Sequence, residues 1–69
     1  MASYLVRSKT ACLALKQGMS VVVDNVPGGR NPLPAEIIKA FTEQRGEEVG
    51  RVVRQQFGGC IHYFDIRLL

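Results

Sequence analysis

The chain has 69 residues, 46% of them hydrophobic, with nine basic and six acidic side chains for a net charge of +3. That length suits a single domain with a thin core, near the size at which only about 60% of the unfolded surface is buried, so self-association is an expected source of added stability. Two cysteines are too few for a disulfide framework, no apolar run nears the roughly 20 residues of a membrane span, and no signal-like segment opens the sequence; together these suggest a cytoplasmic protein with free thiols and no place in a membrane.

The positive excess is N-terminal. Arg7, Lys9, Lys16 and Arg30 stand against Asp24 alone in residues 1–30, while five basic and five acidic side chains balance in residues 31–69. A nucleic-acid-binding domain usually carries a denser basic stripe interleaved with aromatics, so a solvated positive face is the expectation here.

Residues 4–17, YLVRSKTACLALKQ, admit two readings. As a helix, Ser3 is a suitable N-cap, Gly18 sits where a C-terminal glycine belongs, and Leu5, Cys12 and Leu15 share one stripe with Ala11 beside them. As two short strands, Tyr4 to Arg7 form the first, and Ala11 to Leu15 pair with the following valines through a turn at Gln17-Gly18. The helix is preferred. Met19 to Val26 then reads as a central strand, because Val21, Val22 and Val23 are β-branched and the Asp24-Asn25 and Pro27-Gly28-Gly29 residues stop it.

The loop Pro27 to Pro34 is followed by the clearest helix, Ala35 to Arg45, with Leu33, Ile37, Ile38, Ala40 and Phe41 on its apolar side and Glu36, Lys39, Thr42 and Glu43 on its wet side. Pro34 suits its first turn, Glu36 its positive end, and Gly46 its close. The segment 47–56, EEVGRVVRQQ, is ambiguous. Glu47 and Glu48 ahead of Arg51 and Arg54 suit a helix macrodipole, whereas Gly50, Val52-Val53 and a Phe57-Gly58-Gly59 turn suit a hairpin. Cys60 to Leu68 alternates as a strand, with Cys60, His62, Phe64, Ile66 and Leu68 on one face and Ile61, Tyr63, Asp65 and Arg67 on the other. An upstream hairpin partner would satisfy its backbone, which favours strand for residues 48–56. The expected fold is α+β in the order α-β-α-β-β, a two-layer sandwich with two helices on one face of a small mixed sheet.

Arg7, Lys9, Ala11, Leu15-Lys16-Gln17-Gly18, Val21 to Asn25, Ile37 to Gly46 and Val49 to Arg67 follow a pattern of spacing and residue type that resembles the small sulfur-carrier domains of the TusA, SirA and YedF family. The resemblance implies that family's fold and a cytosolic location. The family's Cys-Pro-x-Pro motif, and the strand before it, have no counterpart here, so its sulfur-relay activity passes to no residue of this chain.

Few residues offer chemistry. A reactive thiol needs a helix N-terminus, a cation or a metal to stabilise its thiolate. Cys12 reads as core; Cys60, after two glycines and near His62, is a thiol-carrier candidate, although Phe64, Ile66 and Leu68 on the same face make it an apolar filler too. Cys12, Cys60 and His62 are too few for a structural zinc site, and no cofactor motif is present. Gly28-Gly29-Arg30 has the residue types of a phosphate cradle, but Asn31-Pro32-Leu33-Pro34 removes donors before the helix. Were residues 47–57 helical, Arg51, Arg54, Gln55 and Gln56 would suit base edges, with Arg7, Lys9 and Arg30 as further nucleic-acid contacts. The leading expectation is a non-enzymatic domain that binds another protein, or itself as a homodimer, through an exposed sheet edge and the outward residues Ile61, Tyr63 and Leu69.

Overall fold

Strand β1 (Ala2–Ser8) occupies the middle of the molecule, in a segment whose helix formers point elsewhere. Tyr4, Leu5 and Val6 are good strand residues, and period-2 alternation sends Val6 and Ser8 inward and Arg7 outward. The helix expected over residues 4–17 is therefore replaced by a strand and a loop. The computed structural model describes residues 1–69, and its further elements are β2 (Ser20–Val26), α1 (Pro34–Arg45), α2 (Glu47–Val52), a π-helical turn (Val53–Phe57), a 3-10 turn (Ile61–Tyr63) and β3 (Phe64–Leu68).

The three strands hydrogen-bond in the order β2-β1-β3, and both pairings are antiparallel. Thus the α+β class stands, while the order is β-β-α-α-β in place of α-β-α-β-β, and the sheet is antiparallel where a mixed one was expected. The strand expected to be central, Met19 to Val26, is an edge strand. Val21 and Val23 are buried as β-branched core residues, but Val22 between them is only half-buried.

Loop 9–19 turns on Cys12 and Leu15, whose backbones exchange hydrogen bonds of 2.8 and 2.9 Å around Leu13-Ala14. Leu13 has φ 52°, a conformation that bulky side chains rarely adopt, and its side chain is 80% exposed. Leu15 is drawn into the core. Ser8, the one buried polar residue, donates its hydroxyl to the Thr10 carbonyl.

α1 forms as its pattern predicts, starting one residue earlier, at Pro34. Ile37, Ala40 and Phe41 are buried, and Leu33, its N-cap, is exposed. Gly46 closes α1 with φ 99° and starts α2 at once. Residues 47–57, expected as a strand over 48–56, are helical throughout. Gly50 is the reason the two helices lie so close: a Cβ there would stand 2.8 Å from Thr42 Cα and closer still to Thr42 Oγ1. The glycine that argued against a helix is required by the helix pair. Val49, Val52 and Val53 then enter the core, and the π turn brings Phe57 against Tyr63 and Phe64, with centroids 4.8 and 6.4 Å apart.

Val6, Val21, Val23 and Phe64 from the sheet, Ile37, Ala40 and Phe41 from α1, and Val49, Val52 and Val53 from the second helical stretch form one buried cluster with Leu15 and Val26. Phe41, fully buried, lies 5.4 Å from the ring of Phe64. Truncating such a side chain to alanine costs about 3–5 kcal/mol, most of what a small domain has.

Candidate functional site

The two edges of the sheet are finished differently. Ser8 N–H donates to the Met19 carbonyl, and the β1–β2 register opposes Val6 to Val21 and Leu5 to Val22. Antiparallel bonds alternate, so the backbone groups of Ser20 and Val22 point away from β1. α1 supplies partners for three of these four groups. The Gln44 amide accepts from Val22 N–H at 2.9 Å and donates to the Val22 carbonyl at 2.6 Å, while Arg45 Nε donates to the Ser20 carbonyl at 2.9 Å. A side-chain amide thus replaces the peptide group of a neighbouring strand, and the edge is closed there.

At β3 nothing plays that part. Lys9 N–H donates to the Tyr63 carbonyl and Leu69 N–H to the Ser3 carbonyl, with Asp65 opposite Arg7 and Arg67 opposite Leu5 between them. The alternation puts the C=O of Phe64 and the N–H and C=O groups of Ile66 and Leu68 on the outer side, where no protein group meets them, while Phe64 N–H is held by the Ile61 carbonyl of the preceding 3-10 turn. The strand has no proline, lysine or bulge, devices that natural edges use against pairing. Its outward-facing side chains are Asp65 and Arg67, both exposed; Ile66 between them is half-buried on the core side, and Leu68 is 62% exposed.

The residues expected at an interaction surface lie at the two ends of this strand. Ile61 and Tyr63 belong to the 3-10 turn that precedes β3, not to the strand itself, because Cys60 to Tyr63 curl where an extended run was expected. Tyr63 leans on Phe57, and Leu69 follows the strand, 64% exposed. Gln44, Asp65, Ile66 and Arg67 went unnoticed as interaction residues. The signal for three of them is plain in retrospect: Phe-Asp-Ile-Arg-Leu places opposite charges symmetrically about a central apolar residue.

Cys60 and His62 share this turn instead of a strand face. The half-buried Cys60 donates its backbone N–H to the Phe57 carbonyl, and no hydrogen bond ties His62 to its thiol. Cys12, on the Cys12–Leu15 turn, packs against the core. No three of the His, Cys, Asp and Glu side chains converge as metal ligands do.

The candidate nucleic-acid contacts are dispersed. Arg7 and Lys9 line a depression with Asp65 and Gln17, and Arg7 reaches Asp65 at 3.7 Å. Arg51 and Arg54 line another with Ile38, Thr42 and Glu47, and Gln55 a third with Leu13 and Glu48. Arg30 is engaged: its guanidinium holds both Glu36 oxygens at 2.8 and 3.5 Å, Glu36 also accepts from Leu33 N–H at 2.7 Å, and Tyr4 Oη donates to the Arg30 carbonyl. The hydrogen bond from Arg30, then that from Leu33, lowers the Glu36 pKa, and the Arg30 pKa is raised by the same contact. These bonds fasten the proline-rich loop to the start of α1, which spends Arg30 on structure.

No family model, curated protein or solved structure matches the chain. No helix is long and apolar enough to cross a membrane.

Proposed function

We propose that the chain is a non-enzymatic protein-interaction domain that works by accepting a strand along the outer edge of β3. The observation that carries this reading is the contrast between the edges: Gln44 and Arg45 occupy β2, whereas Ile66 and Leu68 present free donors and acceptors and Phe64 a free carbonyl. Main-chain bonds to such an edge supply affinity, and the alternate side chains supply selectivity. In this reading the molecule has two layers, with the helices on the face that carries Val6, Val21, Val23 and Phe64. Ile61, Tyr63 and Leu69 extend the contact beyond the ends of the strand. The reading draws nothing from the sulfur-carrier resemblance, whose segment 7–18 forms strand and loop here.

Titrating the isotope-labelled protein with an alternating Thr-Val peptide tests the reading by NMR. It predicts slowed exchange and shifted amides at Ile66 and Leu68, with Val22 unchanged. A response at Ser20 and Val22, or none along β3, would count against it.

A second reading, nucleic-acid contact, is favoured by one observation: residues 47–57 are helical, and Arg51, Arg54, Gln55 and Gln56 are all exposed on them. Binding to duplex DNA that weakens steeply with salt and is lost in Arg51→Ala/Arg54→Ala would support it.

A further inference from the structure

The order of side chains along β3 says which strand its edge fits. In an antiparallel pair formed through the outward groups of Ile66 and Leu68 and the carbonyl of Phe64, a two-fold axis at Ile66 places Ile66 opposite itself and Phe64 opposite Leu68 of the second copy. Asp65 then faces Arg67 of the second copy, and Arg67 faces its Asp65, both on the exposed side of the sheet. These are non-hydrogen-bonded positions, where cross-strand side chains approach most closely. Asp65 already lies 3.7 Å from Arg7 of its own chain, so it would sit between two guanidinium groups.

Charge also rejects the neighbouring registers. Moving the axis to Asp65 sets two aspartates face to face, and moving it to Arg67 sets two arginines face to face; like charges directly opposite destabilise a strand pair. One register satisfies every charge. We propose that the occupant of the β3 edge is a second copy of this chain, paired antiparallel about Ile66 into a continuous six-stranded sheet ordered β2-β1-β3-β3-β1-β2. This rests on the open-edge reading above and names its partner. Both outer edges of the assembled sheet are then β2 edges closed by Gln44 and Arg45, so pairing stops at the dimer.

The test is sedimentation equilibrium on the full chain with charge variants at two exposed positions, each checked for a native amide spectrum. The wild type is expected to dimerise. Asp65→Arg and Arg67→Asp each turn both cross-strand pairs repulsive, and each is expected to weaken dimerisation by about tenfold or more. A one-to-one mixture of the two variants restores both pairs and should give a heterodimer; the double variant Asp65→Arg/Arg67→Asp should dimerise again. A dimer indifferent to both single changes would overturn the proposal. So would a wild type that stays monomeric at about millimolar concentration. If that monomer still protects its β3 amides when the Thr-Val peptide is added, self-pairing fails and the open-edge reading survives; if it does not, both fail.

Discussion

At Gly50, alanine would gain about 1 kcal/mol of helix propensity, and a surface helix would welcome it. Here its methyl group would drive into Thr42, an overpacking that costs about 1–3 kcal/mol. Gly50→Ala is accordingly expected to lower stability by roughly 1–2 kcal/mol in chemical denaturation, against the sign that propensity alone dictates. Leu13 is the converse case. Its positive φ is strained and its side chain is exposed, so Leu13→Gly is expected to raise stability by about 0.5–1 kcal/mol, read as a higher denaturation midpoint. Glu36 carries a pH dependence. Its folded-state pKa lies below the ordinary value of about 4.3 because Arg30 and Leu33 N–H bind the carboxylate. The resulting stabilisation is complete above that ordinary value and disappears as the pH falls through the lowered one. Melting temperatures of the wild type and Glu36→Gln should therefore differ at pH 7 and converge as the pH falls through the lowered folded-state pKa. A gap that persists unchanged in acid would mean the carboxylate charge plays no part.

Among the elements, α1 was legible because periodicity, Pro34, Glu36 and Gly46 all agree on it. The others show what local pattern leaves open. In residues 4–17 a good N-cap and several helix formers outvote Tyr4-Leu5-Val6, yet those three residues, with Arg7, are paired on both sides; long-range pairing overrides local preference. In residues 47–57 the acidic start and basic end were the sound signal for a helix, and Gly50 and the paired valines misled, since their role is to meet Thr42 and the core. Gln44 reads as an ordinary wet-face residue in α1. Its role depends on β2 passing alongside, which no window of sequence reveals. Gln44→Ala removes two hydrogen bonds from Val22 and is expected to cost about 1 kcal/mol in denaturation. It should also make the protein associate beyond the dimer in light scattering, because a second edge becomes open. Unchanged association would show that Gln44 does not guard that edge.

For the whole molecule, the net charge of +3 says little, because the arginines lie in separate places and two of them, Arg7 and Arg30, are paired with carboxylates. What matters is a sheet with one edge guarded from within and one left open, in a chain small enough to gain from a partner. Leu68→Pro removes an outward N–H while sparing the bonds to β1, so it should impair pairing and leave the fold intact by NMR. The most direct measurement is residue-by-residue amide hydrogen exchange at a concentration low enough to keep the protein monomeric. The account predicts fast exchange at Ile66 and Leu68, beside slow exchange at Asp65, Arg67 and the Gln44-bonded amide of Val22. Slow exchange at Ile66 and Leu68 in the monomer, or fast exchange at Val22, would contradict it.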